Sequence, residues 1–161
     1  MSDRPLDDAR ALVGRLYDTY GASLYRYAAI LLADPTAAED VVQQVFTAIL
    51  RRRPRIEDEA HYLRRAVRNG CYSILRQRQQ EVVRAETIIE VKADNIPNEH
   101  RLALELAVKE LSPEQREVIG LHAFEGLTFQ EIATGMDLSI NTVAARYRYA
   151  LARLRQILGP S

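Results

Sequence analysis

Apolar residues recur at three- and four-residue steps through almost the whole chain, and no stretch has the alternation of a half-buried strand. That periodicity restricts the chain to helices packed on helices, so an all-α fold is expected. Leu12, Leu16, Tyr20, Leu24, Tyr27 and Leu31 mark a long first helical segment, with a break expected near Gly21. Asp34-Pro35-Thr36 interrupts it, and Thr36 with Glu39 reads as a capping box opening a second helix to about Arg52. On that helix Ala38, Val41, Val42, Val45, Phe46 and Ile49 form an apolar stripe, while Asp40, Gln43, Gln44 and Thr47 share the opposite face. Pro54 stops it, and Arg55 to Ala60 reads as a loop. A third helix is expected from His61 to about Gln79, with Leu63, Val67, Ile74 and Leu75 inward and Gly70 as a local weakness.

Residues 80–98, QEVVRAETIIEVKADNIPN, lack a strong period and read as a linker, helical at most at its start. The expected organisation is therefore two small helical domains, 6–79 and 99–158. The second opens with a helix from Glu99 to Leu111 and continues through Ser112-Pro113-Glu114-Gln115, a capping signal with proline at the first helical position, into a helix to about Phe124. Thr128-Phe129-Gln130-Glu131 is a further capping box, Met136-Asp137-Leu138 a tight turn, and Ser139 the start of the last helix.

Charge narrows the function. The 161 residues are formally neutral, yet 51–78 hold 9 basic and 3 acidic side chains and 139–161 hold 4 basic and none acidic. Two basic islands thus stand in an acidic background, a pattern suited to polyanion contact at two places. The basic residues are almost all arginine, with lysine only at Lys92 and Lys109; GC-rich coding favours that choice, and so does bidentate pairing with phosphates and guanines. Cys71 is the lone cysteine, so no internal disulfide forms. No signal peptide and no membrane span are visible, and a cytoplasmic protein without membrane insertion is expected. His61, His100 and His122 lack metal-ligand spacing and read as structural or surface residues. No Gly-rich phosphate loop occurs, and no nucleophile has a base nearby in sequence, so neither enzyme nor cofactor is expected.

Between Thr128 and Arg155, a short helix, a turn and a longer helix place Ile132, Ala133, Leu138, Val143, Tyr147, Ala150 and Leu154 where crossing helices would share a core. That is the outline of a helix-turn-helix, whose second helix enters a major groove. Asn141, Thr142, Ala145, Arg146, Arg148 and Tyr149 would then lie on exposed faces near the helix start: Arg for guanine or phosphate, Asn for adenine, Ala145 by removing bulk. Luminescence-type response-regulator outputs carry a similar outline.

Both halves of the chain resemble an extracytoplasmic-function sigma factor of the sigma-70 family. LYDTYGASLYRYAAILLADPTAAEDVVQQVFTAIL and YLRRAVRNGCYSILRQRQQ are similar to its promoter-melting domain, and LSPEQREVIGLHAFEGLTFQEIATGMDLSINTVAARYRYALARLR is similar to its minus-35 reading domain. Together they cover roughly 10–158 in the family's order.

The resemblance implies roles residue by residue. Ala38 to Phe46 matches the helix that docks on the β′ clamp helices of core RNA polymerase, which makes Asp40, Gln43, Gln44 and Thr47 an interface. The Arg55–His61 loop and following helix match the part that captures the unwound minus-10 strand, through Tyr62, Arg64, Arg65, Arg68, Asn69, Tyr72 and Arg76, with Arg78 nearby. Leu111-Ser112-Pro113 and Arg116 match the start of the minus-35 domain, where the β flap is also gripped. There are departures: Tyr62 replaces a usual Trp, Ser73 a common Asp, Ala144-Ala145 a common Lys-Ser, and Tyr149 a frequent Arg. The implied function is promoter selection for bacterial RNA polymerase with help in melting the start site, and an anti-sigma factor is an implied partner. The alternatives are a stand-alone helix-turn-helix regulator and an interaction protein that holds polymerase without using DNA.

Overall fold

The computed structural model describes residues 4–84 and 99–159, and among them every regular element is a helix. α1 spans Arg4–Leu32, α2 Pro35–Arg52, α3 Glu59–Arg84, α4 Glu99–Lys109, α5 Pro113–Ile119, α6 Phe129–Met136 and α7 Ile140–Leu158. A π-helical turn, Gly120–Phe124, continues directly from α5. The chain divides into two compact units between Tyr72 and Ser73, within α3.

In the first unit α1 and α2 form a helical hairpin closed by Ala33 in the left-handed region, φ 53°. Its core takes Leu16, Leu24, Tyr27 and Leu31 from α1 and Ala38, Val41, Val42, Phe46 and Ile49 from α2, as the helical period requires. Leu63, Val67 and Cys71 of α3 are fully buried. Each fully buried Leu or Val stabilises by about 1.5–3 kcal/mol relative to exposure. Tyr17 meets Phe46 edge-on at 5.4 Å.

Three local expectations are corrected. α1 runs unbroken through Gly21, which is buried. The capping box expected at Thr36 and Glu39 does not form. Asp34 is the N-cap instead, its Oδ1 accepting from the Ala37 amide at 3.1 Å, because Pro35 has the φ that suits the first helical position. Glu39 accepts from Gln43 Nε2 at 3.4 Å. α3 begins before His61 because Asp58 accepts from the His61 amide at 3.1 Å, and it extends past Gln79 to Arg84. The remainder of the expected linker, 85–98, lies outside the described residues.

Gly70 has a packing role that its helix propensity does not reveal: a Cβ there would stand 2.9 Å from Val41 Cγ1, so α3 passes α2 at a distance only glycine permits.

In the second unit both expected capping boxes form. Ser112 Oγ accepts from the Gln115 amide at 3.2 Å and Gln115 Oε1 from the Ser112 amide at 3.1 Å, and Thr128 and Glu131 repeat the exchange. Ala107, Leu111, Ile119, Ala150 and Leu154 join α4, α5 and α7 in one core, with Ile132, Ala133 and Val143 buried where α6 crosses α7. Leu138 and Tyr147, also expected in that core, are half-buried. Arg116 is buried and donates from Nη1 to the Leu111 carbonyl at 3.1 Å and the Lys109 carbonyl at 3.4 Å, which satisfies acceptors left over at the end of α4.

Candidate nucleic-acid interface

The turn into α7 sets the presentation of its first residues. α6 ends at Asp137 in the left-handed region, φ 56°, ψ 47°, and the Leu138 amide returns to the Ala133 carbonyl at 2.9 Å. That closure satisfies carbonyls at the end of α6 and turns the chain at once into α7. Ser139 caps α7, its Oγ accepting from the Thr142 amide at 3.1 Å and lying 2.9 Å from Thr142 Oγ1.

From this start Asn141, Arg148 and Tyr149 are exposed, while Thr142, Ala145 and Arg146 are half-buried. Asn141, Ala145 and Arg148 follow steps of four and three, so one face of α7 offers an amide, a low spot and a guanidinium. Tyr149, 62% exposed, stands beside that face with the Arg148 guanidinium 5.8 Å from its ring centre. The Thr142 hydroxyl is engaged in the cap, so its contribution is to hold the helix start as well as to face outward.

Behind this surface three rings clasp the π-helical turn, α6 and α7. His122 lies 4.5 Å from Phe129 and 4.7 Å from Tyr147, and Phe129 lies 5.3 Å from Tyr147. His122 Nδ1 is 2.7 Å from the Leu127 carbonyl, which fixes the loop before α6. His122 is thus structural, as the sequence suggests, but its place against Tyr147 of α7 emerges only from the fold.

The first unit presents two polar surfaces. Asp40, Gln43, Gln44 and Thr47 lie on α2 opposite the buried stripe, with Asp40, Gln43, Gln44 and Thr47 facing outward, so the expected face exists as one continuous strip. On α3, Tyr62, Arg65 and Asn69 follow at helical steps, with Tyr72 half-buried at the next step. Arg64 and Arg68 flank them and are half-buried, and the Arg68 guanidinium sits 4.6 Å over the Tyr72 ring. A row of cationic and flat side chains of this kind suits a nucleic-acid strand, with guanidiniums for phosphates and rings for bases. Arg76, exposed, and Arg78, half-buried, lie farther along α3 in the second unit.

One tie between α1 and α3 is not visible in the sequence. Arg15 of α1 grips Glu59 in the first turn of α3 with two bonds, Nη2 to Oε1 at 2.6 Å and Nη1 to Oε2 at 3.2 Å, and Tyr20 Oη adds a long one at 3.5 Å. The hydrogen bond and charge of Arg15 hold the Glu59 carboxyl below the usual glutamate range. The separation of 44 residues between the partners leaves no local signal for the pair.

Among the described residues no helix is long and apolar enough to cross a membrane. Residues 16–81 match the family model for sigma-70 region 2, and residues 101–154 match that for sigma-70 region 4. The chain is 34% identical to an RNA polymerase sigma-E factor of Streptomyces coelicolor, over 84% of this chain and 80% of that protein. It is 32% identical to the ECF RNA polymerase sigma factor SigL of Mycobacterium tuberculosis, over 92% of this chain and 89% of that protein. The fold is also that of the sigma factor RpoE solved in complex with the anti-sigma factor NepR from Bartonella quintana, with a TM-score of 0.69 at 22% identity, covering 90% of this chain and 95% of that one. CnrH, solved in complex with the cytosolic domain of CnrY, is similar at a TM-score of 0.67 and 24% identity, covering 98% and 97%. With two region models matched in order and relatives of this identity across most of its length, the chain belongs to the extracytoplasmic-function sigma factors of the sigma-70 family.

Proposed function

We propose that this chain is the promoter-specificity subunit of a bacterial RNA polymerase, acting in the cytoplasm without chemistry or cofactor of its own. Residues 6–79 bind core enzyme and melt and hold the minus-10 element, 99–158 read the minus-35 element, and 80–98 link the two. Asp40, Gln43, Gln44 and Thr47 dock on the β′ clamp helices. Tyr62, Arg64, Arg65, Arg68, Asn69, Tyr72 and Arg76 take the unwound strand, and Asn141, Thr142, Ala145, Arg146, Arg148 and Tyr149 face the duplex. The second unit also meets the β flap, and an anti-sigma factor controls access to these surfaces.

The observation that carries this reading is the coupling, in one chain, of a capped helix-turn-helix whose last helix holds no acidic residue with a separate helical unit bearing a row of arginines and tyrosines. One such surface serves a regulator; two in this order serve an initiation factor, which must hold duplex and opened DNA at once. The test is run-off transcription with purified core RNA polymerase on a fragmented genomic library, with and without the protein. New discrete starts preceded by a shared pair of elements are expected. Absence of new starts together with failure to co-elute with core enzyme would return the chain to the class of stand-alone regulators.

A further inference from the structure

His122 belongs to the three-ring clasp and is also hydrogen-bonded, so its ring has a fixed support before it meets α7. A carbonyl only accepts, so the 2.7 Å contact with the Leu127 carbonyl places a proton on Nδ1. The Leu127 amide in turn donates to the Leu121 carbonyl at 3.0 Å, and the Glu125 amide to the Gly120 carbonyl at 3.0 Å. The loop into α6 is thereby clipped on both sides of Leu127, and the Thr128 cap and Phe129, the first residue of α6, follow at once.

Two kinds of contact hold α7, and they differ in direction. Val143, Ala150 and Leu154 are buried, and aliphatic burial depends on the area removed from water. It fixes which side of α7 faces inward, but it constrains rotation of the helix about its own axis less than a directional contact does. Aromatic pairs are directional, because a ring is positive at its edge and negative on its face. The His122 and Tyr147 rings meet at 79° with centres 4.7 Å apart, an edge-to-face arrangement, and Phe129 flanks Tyr147 at 5.3 Å and 58°. Tyr147 stands between Arg146 and Arg148 on α7, so a rotation set at its ring swings both guanidiniums and, one face with Arg148, Asn141.

We infer that His122 is a positioning residue for minus-35 recognition: through the Tyr147 ring it sets the rotation of α7, and with it which side chains meet base edges. The inference rests on the sigma reading above, and it gives His122 no contact with DNA. Base-edge pairings are geometrically exacting, whereas phosphate contacts carry no sequence information. A wrongly rotated α7 therefore loses discrimination between sequences before it loses affinity for DNA.

The test uses holoenzyme assembled from core polymerase and the full chain, and a promoter fragment recovered by run-off transcription. The readout is the ratio of its affinity to that of the same fragment with the minus-35 element scrambled, taken well below each variant's thermal midpoint. His122→Leu, which has neither ring nor donor, is expected to lower the ratio about fivefold or more. His122→Phe keeps a ring edge for Tyr147 and is expected to restore part of the ratio, whereas His122→Asn keeps a donor for the Leu127 carbonyl without a ring and is expected to restore none. Should His122→Leu fail to fold, the contrast between the other two variants decides the matter. An unchanged ratio in His122→Leu with a lowered thermal midpoint overturns the inference, since the ring then only stabilises the unit. Equal ratios in His122→Phe and His122→Asn overturn it as well, and both results leave the sigma reading standing. A wild-type chain that yields no starts overturns the sigma reading and the inference together.

Discussion

Arg15 and Glu59 join the first helix to the start of the third through two parallel bonds, the shorter 2.6 Å between Nη2 and Oε1. The pair ties α1 to the first turn of the helix that carries the candidate strand-binding row, and it lies at the surface.

Because the Arg15 hydrogen bond lowers the Glu59 pKa from its ordinary 4.5, the sign of its pH effect follows. The stabilisation is complete above the unfolded value and is lost as pH falls through the lowered folded value. The gap in thermal midpoint between wild type and Glu59→Gln is therefore expected to be widest near about pH 7 and to close toward about pH 3. Thermal scans of both proteins across that range check it; a gap that widens in acid would refute the assignment.

Gly70→Ala sets helix propensity against packing. Alanine gains about 1 kcal/mol as a helix former, but its Cβ would stand 2.9 Å from Val41 Cγ1, and valine is stiff at χ1 in a helix. Overpacking costs about 1–3 kcal/mol, so net destabilisation of the first unit is expected. Urea unfolding should show it, and adding Val41→Ala should recover part of the relative loss caused by Gly70→Ala.

On α7, the candidate reading helix, Arg148 is exposed and Arg146 half-buried. Arg148→Ala is expected to weaken promoter binding by the assembled holoenzyme by about 1–3 kcal/mol if the guanidinium is bidentate to a base, and Arg146→Ala by less. Footprint titration measures both. Unchanged affinity in the two variants would remove them from the reading face.

Asp40 is exposed on α2 and outside the core. Asp40→Arg is expected to leave the stability within about 0.5 kcal/mol of wild type while reducing competition for core enzyme against the unmodified chain. Full competition by the variant would detach this face from the polymerase.

The same residues show how far local reading reaches. The capping boxes at Ser112 and Thr128 and the Ser139 cap are legible because their partners are three residues apart. The cap expected at Thr36 fails for an equally local cause: Asp34 and Thr36 are both plausible caps, and Pro35 at the first helical position decides for Asp34. The helix-turn-helix is legible from its apolar period, and the exposed strip on α2 from the stripe opposite.

What the sequence by itself determined is the all-helical class, most helix limits and which face of each helix is apolar, since these depend on bonds and steps within four residues. Tertiary structure decided the relationships between distant residues: Gly70 as a close approach to Val41, buried Arg116 closing α4, Glu59 held by Arg15, and His122 packed on both Phe129 and Tyr147. Each depends on which faces meet and at what distance. Helical periodicity states that a face is buried, but not what lies across from it.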